Sequence, residues 1–370
     1  MKVSFVHRSY VDYNVETPYT RPLGGSESAI VYLAPELVKL GHEVRLLTNT
    51  SQPGRFRGVE CLNYKTSLTP EVLNAADVVV VSNEACAREL RDKFQARKKL
   101  VLWVQHADDQ DAIEALQFTR ERKSWDAIAF VSQWQFDQFS DYYWVPREKG
   151  RVMRNAISPT FAAMPPVEPW FATGAAPVLV YTSMPYRGLD VLLDSFPTIR
   201  TAIPGTRLKV FSSMARVQVA AEKDEYAELY RRCLATDGVD YVGPIGQAAL
   251  AQELAGCAAL AYPSTYPETS CIAAMEALAA GAAVLATATG ALPETTAGFG
   301  RLIPYTDDKA KLARDFSGLV IATLDEAKRN PAEAAKRREA QIAHMRQTMV
   351  WPARAQEWSA WLKDVASRAA

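Results

Sequence analysis

Two carboxylates with seven residues between them, Glu268 and Glu276, mark the stretch Tyr262-Pro-Ser-Thr-Tyr-Pro-Glu-Thr-Ser-Cys-Ile-Ala-Ala-Met-Glu-Ala-Leu-Ala-Ala-Gly281. Ala258 to Ala261 reads as a buried strand that stops at Pro263, and a polar loop follows. From about Ser270 the residues are strong helix formers up to Gly281, a helix stop. Ser270 or Thr269 can cap that helix. Its first N–H groups, at Ser270, Cys271 and Ile272, then face the loop and suit a phosphate. Glu276 falls among Ala, Ile, Met and Leu, where an unpaired charge is costly. From Ser270 to Glu276 the helix climbs about 9 Å, the reach from a diphosphate to the ribose diol of the same nucleotide. Glu268, at the helix mouth, would face whatever is joined beyond the diphosphate. A structural reading, with Glu268 helping the cap and Glu276 in an ion pair, fits the spacing equally well.

Other candidates are scattered along the chain. Gly24-Gly25 follows a strand and a long loop and precedes a helix, and paired glycines permit close backbone approach to a phosphate. Neither a G-x-G-x-x-G nor a Walker lysine accompanies them. His106, in Leu102-Trp-Val-Gln-His-Ala-Asp-Asp109, lies just beyond a strand's carboxyl end, where an active-site edge belongs. Asp108, Asp109 and Asp111 beside it read as a solvated acidic loop rather than a metal site. Val242 and Gly243, ending another strand, are placed to contact a nucleotide base.

Glu268 and Glu276 together form a Glu-x(7)-Glu pattern, and Tyr-Pro-Ser and Glu-Ala-Leu-Ala-Ala-Gly flank it. The stretch resembles the signature of retaining glycosyltransferases of family 4. The resemblance implies that Glu268 contacts the donor sugar and Glu276 holds the ribose. This chain has Ser270-Cys271 where the family usually has Phe-Gly. Gly24-Gly25-Ser-Glu resembles the family's loop that bounds the donor diphosphate, and Gly290-Ala-Leu-Pro-Glu294 its glycine-containing loop near the donor. Tyr181-Thr-Ser-Met-Pro-Tyr-Arg-Gly-Leu-Asp190 resembles a segment in which an Arg and a Lys grip the diphosphate. Arg187 stands at the Lys position and keeps the charge, but Thr182 stands at the Arg position. Either Arg216 or Arg154 supplies the second charge, or one Arg and the helix dipole suffice. The family commonly places a His like His106 opposite the reacting sugar and acceptor.

What must position these groups is a run of alternating strands and helices. Strands are expected at Lys2–His7, Glu43–Thr48, Asp77–Ser82, Lys99–Val104, Ala127–Val131 and Gly150–Arg154. A proline-rich linker spans Met164 to Pro177. A second series follows at Val178–Thr182, Arg207–Ser212, Val239–Val242, Ala258–Ala261 and Ala283–Ala286, then helices from about Ala310 broken at Trp351-Pro352. This is an α/β chain with an expected first domain of 1–165 plus 352–370 and a second of 166–351. The resemblance implies the GT-B fold: two Rossmann-like domains facing across a cleft, the last helix crossing back to the first.

Composition narrows the function. Lys plus Arg and Asp plus Glu each number 42, so no net field draws the chain to nucleic acid. The five cysteines show no Cys-x-x-Cys, against a disulfide framework or zinc site and in favour of a reducing compartment. Met1–His7 reads as a strand rather than a signal peptide, and no apolar run is long enough for a membrane span. The expectation is a cytoplasmic glycosyltransferase without a metal cofactor, using a UDP-, GDP- or ADP-sugar. Its acceptor would be a saccharide or lipid-linked hydroxyl in cell-envelope polysaccharide, lipopolysaccharide or glycolipid synthesis. The basic segment 88–99 is a candidate for peripheral contact with anionic lipid, its alternative being a solvated helix face. A sugar-nucleotide epimerase or hydrolase on the same fold, and a non-catalytic nucleotide-sugar scaffold, are the rival readings.

Overall fold

A computed structural model describes residues 1–214 and 224–368. The chain divides into two compact units, Met1–Ala156 with Trp351–Ala370, and Ile157–Val350. The change of unit falls at Ala156, before the proline-rich stretch rather than within it. Ile157, Phe161, Met164 and Trp170 are buried in the second unit's core, so packing and not the prolines decides the boundary.

The first unit holds β1 (Lys2–Val6), β2 (Glu43–Thr48), β3 (Gly54–Phe56), β4 (Val59–Asn63), β5 (Val78–Ser82), β6 (Lys99–Val104), β7 (Ala127–Phe130) and β8 (Gly150–Val152). They form one sheet in the order β3-β4-β2-β1-β5-β6-β7-β8, parallel except for the β3–β4 pair. The central strands are nearly all apolar, as β5 shows with five buried residues, because helices cover both faces of a parallel sheet. The helix Trp351–Ser367 returns to this unit. Its Trp358 ring lies 4.8 Å from that of Trp103 on β6, and Ser359 Oγ is 2.7 Å from His42 Nε2.

The second unit holds β9 (Val178–Tyr181), β10 (Arg207–Val210), β11 (Val239–Tyr241), β12 (Ala259–Tyr262), β13 (Ala283–Thr287) and β14 (Arg301–Ile303). Their order is β11-β10-β9-β12-β13-β14, all parallel. In each unit strand order reverses beside the first strand: between β1 and β5, and between β9 and β12. Such a switch point opens a crevice beyond the strands' carboxyl ends, the usual ligand position in open α/β sheets. Among the described residues no helix is long and apolar enough to cross a membrane.

Candidate functional site

The loops leaving β9 and β12 bring Arg187 and Glu268 together at the second unit's switch point. Arg187 Nη1 donates to both Glu268 carboxylate oxygens, at 2.8 and 3.0 Å. The Tyr262 hydroxyl donates a further short bond to the same carboxylate and lies 3.1 Å from Ser183 Oγ. The Tyr266 ring lies under the guanidinium, 4.5 Å from its carbon to the ring centroid. Burial works against the Arg187 charge, yet Glu268 and the surrounding tyrosines outweigh it and hold its pKa above the ordinary value. Arg187 Nε is buried without a hydrogen-bond partner among the described residues, so the guanidinium keeps an unspent donor. Expected to act separately on diphosphate and sugar, the two groups are paired by the fold.

Two glycines make that meeting possible. Gly188, at φ +104°, lets the Arg187 loop run against the backbone of Pro263, 3.0 Å from where its Cβ would stand. At Gly290, φ +57°, a Cβ would lie 2.5 Å from Glu268 N and 2.6 Å from Pro267 C. The next residue, Ala291, donates its N–H to Glu268 O at 2.6 Å. The Gly290 loop therefore clamps the Glu268 backbone.

That clamp shifts the helix start. The helix runs Ile272–Ala280 with Cys271 as its N-cap, two residues later than the expected start, and no side chain caps it. Neither Ser270 nor Thr269 serves as cap, because the stretch tied down at Glu268 does not yet turn into helix. The Cys271 carbonyl accepts from the Ala274 and Met275 N–H groups, and the Ile272 N–H opens the first turn. The Cys271 thiol is buried and its pKa is pushed up by burial, so it serves as a packing group. Ser270 stands at the mouth and is half-buried.

Glu276 lies one turn into this helix, about 6 Å of rise from Ile272 rather than the 9 Å expected from Ser270. It is only 4% exposed. Its Oε1 accepts the Ser158 N–H at 3.1 Å, and Gln247 Nε2 lies 3.4 Å from both oxygens. Gly243 sits just past β11, and Val242 beside it is exposed, so both lie at the same carboxyl edge. Thr182 is buried directly after β9. Arg216 lies outside the described residues. Arg154 belongs to the first unit, close enough to Arg354 to depress the latter's pKa, after burial.

In the first unit the β1/β5 switch point gathers a different set. His106 follows β6, and its Nδ1 is buried without a partner among the described residues. Burial and then His7 lower its pKa, against the pull of Glu27 and Asp109, so the imidazole is neutral at pH 7. Gly24 is the N-cap of the helix Gly25–Lys39, and its lack of a Cβ leaves room for the Glu27 carboxylate. Burial raises the pKa of that carboxyl, with Ser9 Oγ 3.4 Å from it. Gln105 fixes the edge, its N–H donating to Asn83 Oδ1 at 2.7 Å and its Nε2 reaching Ser26 O at 3.4 Å. Glu27, His7, Gln105 and Tyr262 were not singled out from sequence. Glu27 and Tyr262 had a signal, since they fall inside the Gly-Gly-Ser-Glu and Tyr-Pro-Ser matches, whereas His7 and Gln105 had none.

The basic segment 88–99 does not form a cationic stripe. Its helix is only Ala87–Asp92, Arg88 pairs with Asp92, Lys93 with Glu89, and Arg91 and Lys99 both with Asp126. Among the described residues no cluster of His, Cys, Asp or Glu is placed to hold a metal ion.

Residues 176–320 match the family model for glycosyl transferases group 1. No curated protein matches the chain by sequence. Sucrose-phosphate synthase from Thermosynechococcus elongatus is similar in structure at 15% identity, TM-score 0.69, over 98% of each chain. Alr3699/HepE of Anabaena, solved in complex with UDP-glucose, is similar at 16% identity and TM-score 0.70, over 98% of this chain and 100% of its own. WaaG, a glycosyltransferase involved in lipopolysaccharide biosynthesis, gives 16% identity and 0.64 over 99% and 100%. The fold is that of the GT-B glycosyltransferase structures, and the second unit carries the region that matches the glycosyl transferases group 1 family.

Proposed function

We propose that this protein is a retaining glycosyltransferase that moves a hexosyl group from a nucleoside-diphosphate sugar to a hydroxyl acceptor. The observation that carries the reading is the β9/β12 switch point. There a part-buried arginine paired with a buried carboxylate, a helix N-terminus with no side-chain cap and a second buried carboxylate one turn along occupy one strand edge. In this reading the N–H groups from Ile272 and the Arg187 guanidinium take the diphosphate, Glu276 takes the ribose hydroxyls, and Glu268 takes the sugar. The C1–O bond to phosphate breaks and a C1–O bond to the acceptor forms on the same face. The acceptor proton passes to the departing phosphate oxygen. Charge grows on that phosphate as the bond breaks, so Arg187 and the helix end act mainly in the transition state. We assign the neutral His106 to the acceptor hydroxyl and the Gly24-Gly25 loop to the diphosphate. The reaction so drawn uses side chains and a helix dipole for the charge and needs no metal, so chelation with EDTA leaves it unchanged.

The UDP-glucose complex of HepE makes a UDP-sugar the first donor to test. The role of WaaG in lipopolysaccharide synthesis favours a cell-envelope saccharide or glycolipid acceptor met from the cytoplasm. Docking on lipid through 88–99 is not favoured, since its charges are largely paired. A non-catalytic nucleotide-sugar binder is the second reading, favoured by Thr182 at the position of the family's second cation. The test is a panel of UDP-, GDP- and ADP-sugars with cell-envelope acceptors, followed by nucleotide release and by NMR of the product's anomeric centre. Retained configuration supports the proposal. Inverted product refutes retention, and donor binding without any turnover supports the binder.

A further inference from the structure

On the opposite edge of the second sheet, where β12, β13 and β14 begin, lies a pocket of about 140 Å³. It belongs wholly to the second unit and is remote from the loops that carry Arg187 and Glu268. Trp170, Phe299 and Leu324 supply its apolar walls. A space of this size suits one aromatic ring or a short acyl chain, roughly what an apolar cavity of 150 Å³ accepts as benzene.

Charge distinguishes this pocket from a packing defect. Arg301 holds Glu326 through two bonds, 2.5 and 2.8 Å, so that wall is neutral and the Glu326 carboxyl pKa is held down. Arg338 is different. Its half-buried guanidinium has no hydrogen bond or ion pair among the described residues, and it lies so close over Gly281 that a Cβ there would be 2.5 Å from its Nε. Burial and then the neighbouring Arg346 act against its charge, and only the exposed Glu339 beside it acts in its favour, from a distance and without a bond. Arg346 spends its own donors on the Ala279 and Met164 carbonyls. The exposed Glu333 at the rim is the one lining carboxylate outside the Arg301 pair, and Arg337 stands one turn beyond it. No carboxylate bonds this half-buried cation among the described residues, and it lies next to an apolar space of one ring's volume.

We propose that this pocket binds a small amphipathic anion, a carboxylate on a single ring or short acyl body, with its head group on Arg338 and its body against Trp170, Phe299 and Leu324. A carboxylate would give the guanidinium the charge-assisted bonds it lacks. The site is independent of the transferase reading. Benzoate and hexanoate are the probes, with benzyl alcohol as the uncharged control, measured on the whole protein by saturation-transfer NMR and calorimetry. Expected are one site per chain for at least one anion and about tenfold weaker binding in Arg338→Gln, a change of roughly 1.4 kcal/mol. Benzyl alcohol should not respond to that substitution. Ala327→Trp, which fills the pocket, should remove both, and cooperative melting of each variant confirms that it folds. Absence of binding by both anions at millimolar concentration overturns the proposal, as does binding that survives either Arg338→Gln or Ala327→Trp undiminished.

Discussion

Replacing Glu268 by Gln separates its bond to Arg187 from its work on a sugar. In the free protein the Arg187 side chain is one-quarter exposed and that of Glu268 5% exposed, and they meet at 2.8 Å. Gln keeps the shape and one acceptor but leaves Arg187 without a counter-charge. Breaking a buried pair from one side costs about 3–5 kcal/mol, and the partial exposure of Arg187 brings this to about 2–3 kcal/mol in a denaturant melt. The same change should improve the binding of a nucleoside diphosphate. In the wild type the diphosphate must share Arg187 with a carboxylate of its own sign, a repulsion worth about 1.5–3 kcal/mol at an intermediate dielectric. Removing it should tighten UDP about 10- to 100-fold by calorimetry, with a smaller gain for UMP. Sugar transfer should nonetheless fall by about 10²-fold or more, because the carboxylate no longer stabilises the reacting sugar. A variant that loses stability yet binds UDP no better than wild type would refute the placing of the diphosphate at Arg187.

Three further outcomes follow from the same geometry. Gly290→Ala should cost more than the roughly 1–2 kcal/mol of a left-handed alanine and should cut turnover, because its Cβ displaces the Glu268 backbone; Gly298→Ala, with open space around it, should show only the conformational cost. Glu276→Gln should keep the Ser158 bond and melt near wild type, yet weaken UDP by about tenfold if the carboxylate holds the ribose; unchanged UDP affinity removes that role. Burial lowers the His7 pKa to about 4, so the unfolded chain takes a proton below about pH 6.5 that the folded protein refuses. Stability should therefore fall as pH drops from 6.5 towards 4, by about 3 kcal/mol in all from His7, and His7→Gln should flatten that slope in urea melts; an unchanged slope refutes it.

Legibility followed burial. Runs such as Val78–Ser82 and Ala259–Tyr262 were readable because a parallel strand covered on both faces is apolar throughout. Their ends differ by one residue from the expectation, because Asp77 and Ala258 fall outside the ladder and Tyr262, paired with Ala286, falls inside it. The missed strands β3, β4 and β14 are short, partly exposed and at or near sheet edges, so Arg55, Glu60 and Arg301 hide the pattern. The late helix start had no local sign, since Ser270 is a good cap by type and is overruled by the bond from Ala291 to Glu268. Partners were the least legible part. Arg187 and Glu268 are 81 residues apart, and only the adjacency of β9 and β12 in the sheet brings them together. Glu276 likewise meets Ser158 across 118 residues.

The Arg187–Glu268 pair is better accounted for by chemistry than by stability. A buried ion pair scarcely offsets the desolvation of its two charges, and apolar residues of similar volume often serve the fold as well or better. Tyr262 offsets part of that cost by donating to the carboxylate, but Arg187 Nε stays without a partner among the described residues. A site built only for rigidity would have spent that donor. An unspent donor beside a shared carboxylate, at the mouth of an uncapped helix, leaves room for an anion with several oxygens. A diphosphate could take the guanidinium and the helix N–H groups together and release Glu268 towards the sugar. On that account the replacement of both residues by Met and Leu should leave stability equal or higher while abolishing diphosphate binding, an outcome opposite in sign to that of Glu268→Gln in both measurements.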